Sequence, residues 1–124
     1  MKICLIGSTR FKETFVEANA LLTGAGHLVY SVAFFGHADN HELTAEEKMH
    51  LDLVHLRKIQ ESEMVVLITG QVGDDHHYVG ESTIREIAWA RLTGIPLHDW
   101  RVDRQHLVQR ISVWNTIQRN RRKQ

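Results

Sequence analysis

Two runs of consecutive apolar residues, Ile3-Cys4-Leu5-Ile6 and Met64-Val65-Val66-Leu67-Ile68, constrain most tightly what this chain can fold into. A strand that is apolar at every position offers no face to water, so both of its faces must be covered. Helices packed on both sides of a parallel sheet are the usual cover. Gly7 stops the first run and Thr69-Gly70 the second. Between and beyond them the apolar period changes to that of helices. Phe11, Phe15, Val16, Ala18, Leu21 and Leu22 form one such stripe, stopped by Gly24-Ala25-Gly26. Leu28 to Phe35 is β-branched and aromatic, which predicts a second strand. Thr44-Ala45-Glu46-Glu47 has the pattern of a capping box and opens a helix to about Ser62. Ser82 or Thr83 is expected to cap another helix, with Ile84, Ile87, Ala88 and Leu92 on one side and Gly94 as its stop. Ile95-Pro96-Leu97-His98 reads as a short fourth strand. From about Asp103 a last helix places Leu107, Ile111, Trp114 and Ile117 at helical spacing. Strand and helix alternate throughout, so the expected fold is an α/β sandwich of three layers.

Length and composition set outer bounds. The chain has 124 residues, 43% of them hydrophobic, enough for one core and too few for a second catalytic domain. The expected organisation is a single domain over 1–118 and a basic C-terminal tail over 119–124. Fifteen Lys and Arg balance fifteen Asp and Glu, which argues against a nucleic acid polymer as partner. No apolar run approaches the length of a bilayer span, and no charged-then-apolar signal segment opens the chain. A single cysteine, Cys4, cannot form an intrachain disulfide. Together these features point to a cytoplasmic protein with no membrane partner.

In open α/β sheets, ligands bind beyond the carboxyl ends of the strands. Three loops fall there: Gly7-Ser8-Thr9-Arg10, Phe35 to Leu43, and Thr69 to Thr83. The first combines a glycine for close approach, two hydroxyls, a helix start and an arginine, the parts of an anion site. It lacks the Gly-Lys-Ser/Thr ending of a P-loop, and its residues equally suit a plain cap and a solvated charge. In the third, Gly80-Glu81-Ser82-Thr83 brings a helix N-terminus toward the same edge, with Glu86 one turn in. Thr83 and Glu86 match a second capping box. Local pattern favours that cap; the other reading of Glu86 is a carboxylate at the mouth of a cleft, kept ionised by the positive helix end and suited to attack a developing oxocarbenium centre. His37, Asp39, His41, Asp74, Asp75, His76 and His77 follow no ligand spacing, so no metal is expected. Trp89 and Trp100 suit either base stacking or the core, and Cys4 suits a buried filler.

These residues carry a resemblance. From Met1 to about Leu97 the order of elements resembles the nucleoside 2-deoxyribosyltransferase-like superfamily, which includes deoxyribosyltransferases and nucleoside 5'-monophosphate N-glycosidases. Ile3-Cys4-Leu5-Ile6-Gly7-Ser8-Thr9-Arg10 resembles the strand followed by Gly-Ser-x-Arg of the 2'-deoxynucleoside 5'-phosphate N-hydrolases, where the Ser and Arg help to hold the nucleotide. Leu56 to Ile68 resembles the family's helix and following strand, with Glu63 where the family usually has Asp. Glu86-Ile87-Ala88-Trp89-Ala90 resembles the Glu-Leu/Ile-Gly-Tyr-Ala run whose Glu is the family's nucleophile, with Ala88 in place of Gly. The resemblance implies a Rossmann/flavodoxin-like three-layer sandwich with a mostly parallel sheet of four to five strands. It also implies a homo-oligomer, no cofactor, and a small-molecule nucleotide or nucleoside as substrate.

The expected activity is cleavage of the N-glycosidic bond of a (deoxy)nucleoside 5'-monophosphate. Glu86 is the nucleophile, and Asp75 stands for the proton donor within Asp74 to Glu81. Gly7, Ser8, Thr9, Arg10, Gly80, Glu81, Ser82 and Thr83 are expected to bind the substrate. Transfer of deoxyribose between bases uses the same nucleophile, and a nucleotide sensor without turnover would use the same cleft. A phosphoribohydrolase of the cytokinin-activating type ranks lower, because Gly80-Glu81-Ser82-Thr83 lacks its Gly-Gly-x-Gly-Thr run.

Overall fold

A computed structural model describes residues 1–40, 42–109 and 119–121. His41, Ile111, Trp114 and Ile117 lie outside them, as does most of the boundary between domain and tail. The chain runs β1 (Lys2–Gly7), a 3-10 turn (Thr9–Phe11), α1 (Lys12–Gly24), β2 (Leu28–Tyr30), α2 (Ala45–Gln60), β3 (Met64–Ile68), α3 (Glu81–Leu92), β4 (Leu97–Asp99) and α4 (Trp100–Val108).

The two apolar runs form the centre of the sheet, as their composition requires. β1 pairs in parallel with β3 along Ile3 to Gly7, and the sheet order is β2-β1-β3-β4 with every pair parallel. Alternate residues of the central strands feed opposite faces. Ile3, Leu5, Val66 and Ile68 pack with Phe15, Ala18 and Leu22 of α1 and with Trp100 and Leu107 of α4. Cys4, Ile6, Val65 and Leu67 pack with Ile59 of α2 and Ala90 of α3. The result is the expected three-layer sandwich, with a flavodoxin-like strand order. The direction of winding reverses between β1 and β3, and that is where open sheets leave a crevice.

Four boundaries differ from expectation, each for a local reason. β2 ends at Tyr30 rather than Phe35, because β1 offers it partners only over Lys2 to Cys4. Phe35 instead turns inward onto Phe15, with ring centroids 5.5 Å apart. β4 spans Leu97–Asp99 rather than Ile95–His98. Its earlier residues close α3: Gly94 N–H bonds the Arg91 carbonyl, and Ile95 N–H bonds that of Ala90. This is a Schellman turn around a positive-φ glycine. α3 starts from Gly80 rather than from Ser82 or Thr83. α4 starts at Trp100 rather than near Asp103, since the Asp99 side chain accepts from Arg101 N–H and Trp100 is buried. Among the described residues no helix is long and apolar enough to cross a membrane.

Candidate active site

The crevice between β1 and β3 opens into a cavity of about 920 Å³. Its floor depends on Gly7. This residue has φ +152°, and a Cβ added there would sit 2.3 Å from the Ile68 carbonyl oxygen. Only glycine lets the end of β1 lie this close to β3 while its loop turns into the cavity. Ser8 follows as a buried cap. Its Oγ accepts from Arg10 N–H at 3.3 Å and from Arg10 Nη1 at 3.2 Å. Arg10 also lies over the Tyr78 ring, 5.2 Å from its centroid. Arg10 is thus folded back onto the residue that caps its turn, and both line the cavity.

Thr9 Oγ1 lies 2.6 Å from His37 Nδ1. Burial, then the charges of Arg10 and Lys48, hold His37 below the usual histidine range. Arg10, His37 and Lys48 all line the cavity.

The opposite wall is built by α2 and α3. Thr44 caps α2 with the expected box: its Oγ1 accepts from Glu47 N–H, and Glu47 Oε1 accepts from Thr44 N–H. This fixes the first turn and presents Lys48, Asp52 and His55, spaced four and three, on one helix face lining the cavity. Lys48 Nζ donates to Asp52 at 3.0 Å and to Ser82 Oγ at 2.8 Å, tying α2 to the first turn of α3.

The second capping box does not form. Thr83 is buried within the helix rather than standing before it. Glu86, released from a capping role, is half-buried on the cavity wall. Nor does the helix end keep it ionised in the free cleft, because it is the sixth residue of α3 and the dipole acts within the first turn. Burial first and the charge of Asp52 second push its carboxyl up to about 8, against the opposing effect of Lys48 and Arg85.

Beneath these groups sits His55, 6% exposed. Its Nε2 lies 3.0 Å from the Leu5 carbonyl oxygen and 3.7 Å from Cys4 Sγ. Burial, then Lys58, lowers it to about 4, so the ring is neutral. Burial, then Glu86, pushes the Cys4 thiol up to about 12. Cys4 is the inert filler that its place in β1 suggests.

Of the ten candidate residues, Gly7, Ser8, Thr9, Arg10, Gly80, Glu81, Ser82, Thr83 and Glu86 line the cavity. Asp75 does not. It is exposed, and its carboxylate accepts from His77 N–H within a tight turn that bridges back to Val72. His77 faces Arg101 instead of the cleft. Trp100 is buried in one core, and Trp89 packs against the other. Among the described residues no three His, Cys, Asp or Glu side chains gather where they could hold a metal ion. Glu63 lies at the far end of the sheet, where its carboxylate accepts from Lys2 N–H. Sequence reasoning missed Lys48, Asp52 and His55. Their shared helical face was the available signal, but a cavity wall and a solvated face have the same spacing.

No family model matches the chain, and no curated protein matches it in sequence. Its fold does match a solved structure, a 2-deoxyribosyltransferase from the psychrotolerant bacterium Bacillus psychrosaccharolyticus. The TM-score is 0.60 at 20% identity, over 80% of this chain and 71% of that one. The chain has a nucleoside 2-deoxyribosyltransferase-like fold. The cavity therefore sits in that fold at the strand-order reversal, with Glu86 on the helix that leads from β3 to β4.

Proposed function

We propose that this protein is an enzyme that breaks the N-glycosidic bond of a (deoxy)nucleoside 5'-monophosphate, with Glu86 as nucleophile. The observation that carries the reading is that Glu86 lines a nucleotide-sized cavity whose lining also includes Arg10 and Ser8. In its ionised form Glu86 bonds to the anomeric carbon while the carbon–nitrogen bond breaks and its electron pair leaves with the base. The base takes a proton as it departs. Glu81, at the start of α3, is the carboxyl of the Asp74 to Glu81 stretch that lies in the cavity. Water then bonds to the anomeric carbon as the bond to Glu86 breaks, keeps one proton as the new hydroxyl and gives the other to the carboxylate that had protonated the base. Arg10, the Ser8 hydroxyl and the N-terminus of α3 would hold the phosphate or sugar. No cofactor takes part in this scheme.

The similarity in fold to a 2-deoxyribosyltransferase favours a second reading, in which another base rather than water accepts the sugar. The exposed Met49 and Leu53 on α2, beside a groove that Leu56 and Trp89 line, suit a second copy of the chain. Size-exclusion chromatography with light scattering would give a dimer mass, and Leu53→Asp a monomer.

Incubation with ribo- and deoxyribonucleoside 5'-monophosphates and free nucleosides, followed by chromatography of released base, tests the activity. The parent is expected to release base and Glu86→Ala is not. A second base added to the same tubes gives a new nucleoside only if the enzyme is a transferase. Binding that survives Glu86→Ala, with no release from any substrate by the parent, would replace this reading with that of a sensor.

A further inference from the structure

His55 has no place in the scheme above, yet it is a buried polar side chain on the cavity wall. Its two ring nitrogens have different surroundings. Nε2 lies within hydrogen-bond distance of the Leu5 carbonyl, an acceptor only, so Nε2 carries the ring's proton. That leaves Nδ1 with a lone pair, and no described residue bonds to it. Lys58, whose charge acts on His55, spends its ammonium on the Ser31 carbonyl at 2.7 Å. Asp52, three residues before His55 on the same helix face, offers no proton while it is ionised and bonded to Lys48. His55 therefore presents to the cavity a fixed, neutral hydrogen-bond acceptor. An acceptor fixed on a pocket wall selects a donor, and a hydroxyl is the donor that a sugar carries.

Stereochemistry says which hydroxyls. A nucleophile that displaces the base in line approaches from the face of the pentose opposite the base, and that face carries the 2'- and 3'-hydroxyls. His55 stands on the nucleophile's side of the cavity, since α2, which carries it, packs on α3: Lys48 bonds Ser82 Oγ at 2.8 Å, and Asp52 lies 3.8 Å from Arg85, the residue before Glu86. We propose that His55 Nδ1 accepts a hydrogen bond from a ring hydroxyl of the bound pentose and so sets which sugars the cleft accepts. This rests on the glycosidic reading of the site and adds its sugar-selecting residue.

Two substitutions separate the two nitrogens. His55→Gln keeps an amide that reaches the Leu5 carbonyl and removes the acceptor at the Nδ1 position. His55→Asn keeps an oxygen where Nδ1 stood and gives up the Leu5 contact. Each protein would be assayed for base release from a ribonucleoside 5'-monophosphate and from its 2'-deoxy and 3'-deoxy forms. An acceptor left unpaired on the wall is penalised, so deleting the contacted hydroxyl should lower kcat/KM of the parent by about 10- to 100-fold relative to the same deletion in His55→Gln. His55→Gln should show only the intrinsic effect of the deletion on the glycosidic bond, while His55→Asn keeps most of the parent's ratio. If His55→Gln discriminates as the parent does, the histidine only props up Leu5 and the proposal fails while the activity stands. If the parent releases base from none of the three, the glycosidic reading fails and takes the sugar assignment with it. Should neither variant fold, histidine 15N spectra of Glu86→Ala protein with a ribonucleoside 5'-monophosphate, which carries both hydroxyls, decide. A shift at His55 Nδ1 on binding supports the contact, and an unmoved resonance overturns it.

Discussion

Asp52 of α2 and Glu86 of α3 line the same cavity, and the charge of Asp52 is second only to burial in raising the Glu86 carboxyl to about 8. The two helices thus bring two carboxyl groups into one cavity, each with different neighbours. Asp52 is paired with Lys48 and lies 3.8 Å from Arg85, whereas Glu86 is the one that burial and Asp52 leave protonated at neutral pH.

The pH dependence of the reaction follows from this pair. A nucleophilic Glu86 must be ionised, so on the acid side kcat/KM should rise about tenfold per pH unit until the pH nears about 8. Asp52→Asn removes the second largest cause of the elevation, so the rising limb should move to lower pH whatever happens to the plateau. Lys48→Met removes an opposing charge and should move it to higher pH. Rates from pH 5.5 to 9.5 check both, and a limb that neither substitution moves would remove Glu86 as its origin.

Arg10 gives a second prediction, in substrate preference. Its guanidinium is held between Ser8 Oγ and the Tyr78 ring in the cavity lining. A charge-assisted hydrogen bond to phosphate contributes about 2 kcal/mol, or roughly 30-fold. Arg10→Met should therefore lower kcat/KM for a nucleoside 5'-monophosphate by about that factor and leave the free nucleoside nearly unchanged. Equal losses on both substrates would show that Arg10 supports the wall rather than reading the phosphate.

How much of this was legible in the sequence can be judged from particular residues. Ile3 to Ile6 and Met64 to Ile68 announced a doubly covered sheet because a strand apolar at every position leaves neither face for water. The loops at the ends of those strands then located the cavity, and Glu86 lay in it. What composition could not say was where pairing stops. Val29 and Val32 are equally good strand residues, yet β1 has partners only for the first. Nor could it separate Asp52 from Asp75. Both are acids near helix or loop residues of the right kind, but the turn at Val72 to Asp75 points one away while the packing of α2 on α3 turns the other inward. Such outcomes depend on contacts between distant segments, which local pattern does not encode.

Gly7 offers a test of the cavity floor. Gly7→Ala forces a methyl to 2.3 Å from the Ile68 carbonyl in a backbone conformation that only glycine adopts easily. The expected loss is about 3 kcal/mol, read as a lower denaturant midpoint. Gly24→Ala is the control. It lies at the end of α1 with no atom within 4 Å of an added Cβ. Alanine there should stabilise by about 0.5 kcal/mol or change nothing. Similar losses at both positions would mean that β1 and β3 do not meet as closely as described.

Glu86 and His55 also leave opposite marks on stability. The folded-state pKa of His55 falls from 6.5 to about 4. Between those values the unfolded chain binds a proton that the folded one refuses, so this contribution is present above pH 6.5 and is lost as pH falls toward 4. For the buried histidine the full loss is about 3 kcal/mol. Glu86 rises from 4.5 to about 8. Its folded form keeps a proton that the unfolded chain gives up, so its contribution is present below pH 4.5 and is lost as pH rises toward 8. From pH 4.5 to 6.5 the two slopes oppose one another, and the parent shows little dependence from this pair. Glu86→Gln should unmask a stability that falls with acid through that window, and His55→Gln one that falls with base. Each is read as the difference from the parent in chemical denaturation at half-unit steps, which cancels the other histidines. If both variants track the parent at a constant offset, neither group is held away from its ordinary protonation, and Glu86 would enter the reaction already ionised.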